Sequence, residues 1–202
     1  MDAERRVRVG LVGGRGHYER VIEAVQQARL SVWIATANLK ELYVERGLAR
    51  VGRRRGTRGG YSSILRRFVE LSERGVELRI LHARVPSRAF REEFDRQPVL
   101  IGGGLQLRMC PRAHLKCVIV DGTLLYLGSA NWTGAGLGAK GQGRRNFELG
   151  VITEDEGLLD RVQGVYEHLW RGGECRRCRL REVCDSPLDL ERRAPRPLAL
   201  RR

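Results

Sequence analysis

An α/β fold is what this sequence predicts, and three observations predict it. Short apolar stretches with strand character recur along the chain, amphipathic stretches at helical spacing stand between them, and the two kinds alternate as far as Trp170. The expected arrangement is a mixed, mostly parallel sheet flanked by helices.

The elements follow in order. Arg6 to Val12 alternates well enough for a strand, and Tyr18 to Arg29 places Val21, Ile22, Val25 and Ala28 at helical spacing ahead of the apolar run Leu30 to Ala35. Ser62 or Ser63 can cap a helix with the stripe Leu65, Phe68, Val69 and Ser72; Gly75 can close it in the left-handed conformation, and Val76 to His82 follows as a strand. A short charged helix spans Ser87 to Asp95. Three strands are then expected in quick succession, Leu105 to Cys110, His114 to Val120 and Leu124 to Gly128. A last strand, Asn146 to Thr153, leads through a capping box of Thr153 and Glu156 into a helix with the stripe Leu159, Val162, Tyr166 and Leu169.

At 202 residues the chain suits one compact domain. Residues 1–170 are read as that domain. Beyond Trp170 arginine and cysteine dominate, and Ser186 to Arg202 holds three prolines, so residues 171–202 are read as a basic, cysteine-containing tail. No signal-peptide pattern opens the chain and no run of about 18 apolar residues occurs, which leads to the expectation of a soluble cytoplasmic protein. The formal net charge of +14 is carried almost wholly by arginine, since Lys40, Lys116 and Lys140 are the only lysines. Arginine binds phosphate in bidentate fashion, so phosphate-rich partners are favoured.

The stretch richest in chemistry is HLKCVIVDGTLLYLGSANWT. On a strand, His114 and Lys116 would point to one face and Leu115, Cys117 and Ile119 to the other. Attack on a phosphodiester needs a nucleophile, cationic donors for the non-bridging oxygens and an acid for the leaving oxygen. His114 can be the first, Lys116 and Asn131 the second. The full pattern is H-x-K-x4-D-x6-G-S-x-N, filled by His114, Lys116, Asp121, Gly128, Ser129 and Asn131. It resembles the signature of the phospholipase D superfamily over approximately Arg6 to Trp170.

That resemblance implies a phospholipase D-like α/β/α sandwich and a phosphodiesterase in which His114 forms a phosphohistidine. Lys116 and Asn131 would hold phosphoryl oxygens, Ser129 would bind phosphate or order the site, Asp121 would support the motif strand, and Glu148 would orient His114. The family mechanism uses two histidines, but His82 lacks the lysine and aspartate of the motif, and His17 and His168 have no matching neighbours. A twofold homodimer sharing one active site between two copies of His114 is therefore expected. Catalysis would need no metal cofactor, because lysine and histidine replace the divalent ion.

The substrate depends on the remaining residues. Arg46 to Arg58 contains six arginines and no acid, among them Arg53, Arg54, Arg55 and Arg58, and Tyr43 and Tyr61 flank it. With Arg144 and Arg145 it offers phosphate contacts and base stacking, so DNA or RNA is the expected partner. Hydrolysis or transfer of membrane lipid headgroups is the alternative. A catalytically idle nucleic-acid-binding module is a third reading, disfavoured by an intact motif.

Cys175, Cys178 and Cys184 form C-x2-C-x5-C, three ligands of a soft-metal site. Cys110 would complete an all-thiolate set for zinc or an iron–sulfur cluster, and His168 a zinc-like set. The ending resembles cysteine clusters that staple the C-termini of some iron–sulfur nucleases of unrelated fold. Free thiols in a basic tail are the competing reading, and Cys117 is assigned to the core.

Overall fold

The computed structural model describes residues 4, 6–45 and 60–190. Its strands are β1 (Gly10–Gly13), β2 (Ser31–Thr36), β3 (Tyr43–Glu45), β4 (Tyr61–Ser63), β5 (Glu77–His82), β6 (Gln106–Met109), β7 (Cys117–Val120), β8 (Leu124–Gly128) and β9 (Leu149–Thr153). Its α-helices are α1 (Glu23–Gln26), which continues a π-helical turn at Tyr18–Ile22, then α2 (Ile64–Glu73), α3 (Arg88–Phe94) and α4 (Glu156–Trp170).

Seven strands make one sheet in the order β1-β9-β8-β7-β2-β5-β6, and β3 pairs with β4 separately. The α/β class is as expected and the sheet is mixed, but its parallel part is the smaller. Only β2–β5 and β5–β6 run parallel, while β1–β9, β9–β8, β8–β7 and β7–β2 are antiparallel. The cause is local. Parallel neighbours need a crossover helix, which α2 supplies between β2 and β5. Asp121 and Gly122 instead turn β7 straight back into β8, with left-handed φ values of 55° and 65°.

Alternation along the strands builds two cores. Val32 and Ile34 of β2, Leu78 and Ile80 of β5, Val118 and Val120 of β7 and Tyr126 of β8 meet α1, α2 and α3 on one face. Ala35, Leu81, Cys117, Ile119 and Leu125 meet α4 through Leu159, Tyr166 and Trp170 on the other. Helix α2 illustrates how the sequence drives this. Ser63 Oγ accepts the Leu65 N–H at 3.2 Å, Ile64, Leu65, Phe68 and Leu71 are all but fully buried, and Gly75 at φ 84° ends the helix. Each such apolar side chain contributes about 1.5–3 kcal/mol. Val69 and Ser72, expected in the stripe, are only half-buried.

Several boundaries differ from the periodicity. The first strand begins at Gly10 rather than Arg6, because its pairing with β9 spans only Gly10 to Gly13. The cap of α4 is Asp155, whose Oδ1 accepts the Leu158 N–H at 2.9 Å, whereas Thr153 Oγ1 donates to the Arg8 carbonyl at 2.7 Å. The segment beyond Trp170 docks more closely than its composition suggests: Leu188 is buried in the α4 core and Arg181 pairs with Asp189 at 2.6 Å. Among the described residues, no helix is long and apolar enough to cross a membrane.

Asp121 is the hub of the antiparallel half. Its carboxylate accepts the backbone N–H groups of Arg29, Leu30 and Ser31 at 2.7–3.1 Å, joining the β7–β8 turn to the entry of β2. Asp121→Ala should therefore cost about 2 kcal/mol by leaving these donors without their charged acceptor. Urea unfolding would measure this, with Asp121→Asn, which keeps one side-chain oxygen and tolerates positive φ, losing clearly less.

Candidate active site

Strand β2 lies where the sheet changes from parallel to antiparallel pairing. At its C-terminal end β2 leaves the ladder after Thr36, so the register with β7 stops at Ala35 opposite Cys117. His114 and Lys116 consequently precede β7 instead of lying within it. In the same way Glu148 immediately precedes β9, not within the strand as its spacing suggested. Freed from the ladder, these side chains project at the rim.

The rim is assembled by short contacts. Lys116 Nζ lies 3.0 Å from His114 Nε2, 3.2 Å from Nδ1 and 2.9 Å from the His114 carbonyl. An ammonium has donors only, so it pairs with whichever ring nitrogen is unprotonated. The Lys116 carbonyl accepts the Gly128 N–H at 3.1 Å, which sets the G-S-x-N segment beside the histidine. Asn131 Oδ1 accepts the N–H groups of Ala37 and Asn38 at 3.1 and 3.0 Å and the Thr36 hydroxyl at 3.3 Å. This fixes the carboxamide and, among the described residues, leaves its Nδ2–H groups for another acceptor.

Glu148 departs from the orienting contact expected for it. Its carboxylate accepts from Ser129 Oγ in a short hydrogen bond and from Asn146 Nδ2 at 3.1 Å, while the ring of His114 is turned to Lys116. Its influence on the site is electrostatic. Burial pulls the Lys116 ammonium below the usual lysine value, and the Glu148 charge opposes that shift.

Two features escape the motif. The first is His17, fully buried, edge-on to Tyr126 at a centroid distance of 5.5 Å. Its Nδ1 faces the Gly14 carbonyl at 3.3 Å, so Nε2 is the lone-pair nitrogen, and among the described residues that atom is buried without a partner. Burial lowers the His17 pKa, with Gly14 and Glu148 pulling the other way. Lacking motif neighbours, it carried no signal in the sequence beyond being a histidine on an apolar helix face. The second is the role of Gly128. A Cβ there would stand 2.3 Å from Tyr126 Oη and 2.7 Å from the Leu149 carbonyl, so the motif glycine makes room for a phenol whose pKa burial pushes up to about 12.

The other two histidines have partners of their own. His82 is buried with Nδ1 2.9 Å from the Arg84 carbonyl, and His168 on α4 pairs with Glu174 at 2.9 Å. Arg144 is exposed, in a 3-10 turn at Gln142–Arg144. The half-buried Arg145 approaches the Gly14 turn that leads to His17. Arg53, Arg54, Arg55 and Arg58 lie outside the described residues. The hairpin of β3 and β4 holds Glu45 opposite Tyr61 at the two ends of that segment, with Tyr43 and Tyr61 both exposed. This hairpin sits on the motif side: Lys40 N–H donates to the Trp132 carbonyl at 3.1 Å and Arg15 pairs with Glu45 at 2.8 Å.

The family described as cardiolipin synthase, PLD-like domain, matches residues 21–170 of the chain. The chain belongs to this phospholipase D-like family. PLD-like proteins are in general phosphodiesterases. No curated protein matches the chain by sequence. Among solved structures it is similar in fold to the phospholipase D family member Nuc from Salmonella typhimurium, with TM-score 0.55, 18% identity and coverage of 82% of this chain and 95% of the other. NucT from Helicobacter pylori gives TM-score 0.54 and 17% identity over 80% and 94%. Phosphatidylserine synthase from Haemophilus influenzae gives 0.52 and 16% over 80% and 38%. At such identities the likeness is one of PLD-like fold.

The Glu148 charge has a measurable consequence in this PLD-like site. Because it raises the Lys116 pKa, Glu148→Gln should let that pKa fall further, and the fraction of ammonium at high pH falls with it. If catalysis needs the ammonium, the alkaline limb of log kcat/KM against pH moves to lower pH in Glu148→Gln. An unmoved limb would separate Glu148 from Lys116.

Proposed function

We propose that the protein is a metal-independent nuclease in which His114 attacks phosphorus. The observation carrying this reading is the Lys116 ammonium 3.0 Å from His114 Nε2 on an exposed rim that Asn131 and Ser129 share. In the reaction, a His114 ring nitrogen forms an N–P bond while the P–O bond to the leaving group breaks. Lys116 and Asn131 Nδ2 take the charge gathering on the non-bridging oxygens. A proton goes to the leaving oxygen, and water then hydrolyses the phosphohistidine. No step calls for a divalent ion, because a lysine and an amide occupy the places such an ion would fill.

The proton donor is assigned to His114 of a second copy. Within one chain His17 and His82 are buried and His168 pairs with Glu174, so His114 is the histidine left exposed and without a carboxylate partner among the described residues. The surface beside Glu148 suits self-association: Phe147 is wholly exposed, and Leu149 and Leu11, on adjacent strands, are 63% and 73% exposed. Contiguous exposed apolar residues of this kind mark a contact surface, and a twofold axis near them would set the two copies of His114 face to face.

Nucleic acid is favoured by the net charge of +14 and by the site-side hairpin, whose two ends bracket the arginine-rich segment. Lipid is the second reading. It draws on the family's description and on the fold shared with a phosphatidylserine synthase, and the same Phe147 and Leu149 could meet a bilayer.

The test is cleavage in EDTA of labelled single- and double-stranded DNA, RNA and phosphatidylcholine vesicles, with light scattering of the same preparation. Wild type should cut nucleic acid as a dimer, and His114→Ala should lose at least about 1,000-fold in rate while remaining dimeric. Hydrolysis of lipid alone would transfer the function to the second reading. A fully active monomer would remove the shared site.

A further inference from the structure

We propose that Cys110, Cys175, Cys178 and Cys184 form a structural four-thiolate centre for a soft metal, zinc or an iron–sulfur cluster, that ties the C-terminal segment to the turn leading into His114. The inference rests on where the chain places these thiols and is independent of the nuclease reading.

Four of the five cysteines line a single cavity of about 30 Å³, together with Met109, Pro111 and Leu188. One of them comes from the end of β6 and three from a segment more than sixty residues later, so neither local sequence nor a common element accounts for the meeting. The cysteines are also the side chains turned inward. Arg176, Arg177, Arg179, Glu182 and Val183 between them are exposed, while each of the four cysteines is half-buried. Two 3-10 turns, Cys175–Arg177 and Arg181–Val183, lie among these cysteines, and Cys178 and Cys184 follow them in extended conformation.

The backbone around the cavity is well anchored. Cys110 N–H donates to the His82 carbonyl at 2.8 Å and Ala113 N–H to the Cys110 carbonyl at 2.8 Å, which forms the turn that precedes His114. On the other side, Arg108 donates to the Trp170 carbonyl and lies 3.4 Å from the Leu188 carbonyl. Donors and cations surround the thiols: the Leu180 N–H and the Arg112 guanidinium donate to Cys178, and Arg181 adjoins Cys175 and Cys184.

The remaining cysteine sharpens the contrast. Cys117 is sealed in the core with its thiol pushed up to about 12 by burial, as an inert packing residue should be. His168, the other candidate for a fourth ligand, does not line the cavity and pairs with Glu174. Among the described residues, no three His, Cys, Asp or Glu side chains are yet drawn close enough to hold an ion. A zinc–sulfur bond is about 2.3 Å, so binding requires the two surface turns to shift around the fixed Cys110.

The experiment is metal and acid-labile sulfide analysis, with visible spectra, of the full chain purified without oxygen. Wild type and Cys117→Ala are compared with Cys→Ser at each of the four positions, and circular dichroism verifies folding. Iron and sulfide at about four each per chain identify a cubane cluster, and zinc at about one per chain without sulfide identifies a single ion. Either result supports the centre, provided that each of the four serine variants loses the metal and Cys117→Ala keeps it. Metal-free wild type, metal retained in the serine variants, or the four cysteines paired as disulfides would overturn it.

Discussion

Strand β2 is gripped at both ends by side chains of one motif, and the rest of the molecule is arranged around that grip. At its entry the Asp121 carboxylate holds three consecutive backbone N–H groups, Arg29 to Ser31. At its exit Asn131 Oδ1 holds two more, from Ala37 and Asn38. The clamps act in opposite ways. Asp121 extends the antiparallel seam between β2 and β7, whereas Asn131 takes up backbone donors that have just left it. Where the ladder ends, His114 and Lys116 are released to face solvent. A sheet with a buried central strand thus acquires an exposed edge carrying the motif side chains at the place where its hydrogen bonding passes from backbone to side chain.

Among the described residues the consequence for chemistry is an open rim. His114 and Ser129 are exposed, and Lys116 and Glu148 are half-buried beside them. Catalysis by fixed charges gains most where water is excluded, so such a rim calls for a cover. The apolar surface of Leu11, Phe147 and Leu149 adjoins it, and the proposed second copy would both close the site and bring the proton donor. The proposed cysteine centre addresses a different requirement. His114 follows a turn at Cys110 to Ala113 with no strand pairing of its own, and a ligand at Cys110 would hold that turn from behind.

Much of this could be read in the sequence, and the reasons are specific. Spacings such as H-x-K and G-S-x-N place side chains of fixed chemistry at fixed backbone intervals, so the motif pointed to the candidate site. Ser63 and Gly75 announce the ends of α2 because each has a conformation or hydrogen bond that few residues supply. The exit of His114 and Lys116 from the strand was not legible, since it depends on where β2, far away in sequence, turns aside. Nor was the cap of α4: Thr153 and Asp155 compete for the role, and the contact between Thr153 and the Arg8 carbonyl decides it. The predominance of antiparallel pairing was hidden because local alternation looks the same in either direction. Burial of His17 against Tyr126 is likewise a tertiary fact. The convergence of Cys110 with the C-terminal cysteines was anticipated from residue chemistry alone, while the exclusion of His168 from that cavity was not.

The central claim is that His114 becomes covalently bonded to phosphorus. It is tested most directly by acid-free quenching of the enzyme during turnover of a 32P-labelled nucleic acid, followed by peptide mapping of the retained label. The account predicts a label that survives base, is lost in acid, maps to the peptide containing His114 and is absent from His114→Ala. Full turnover with no label on protein, or label on any other residue, would contradict it.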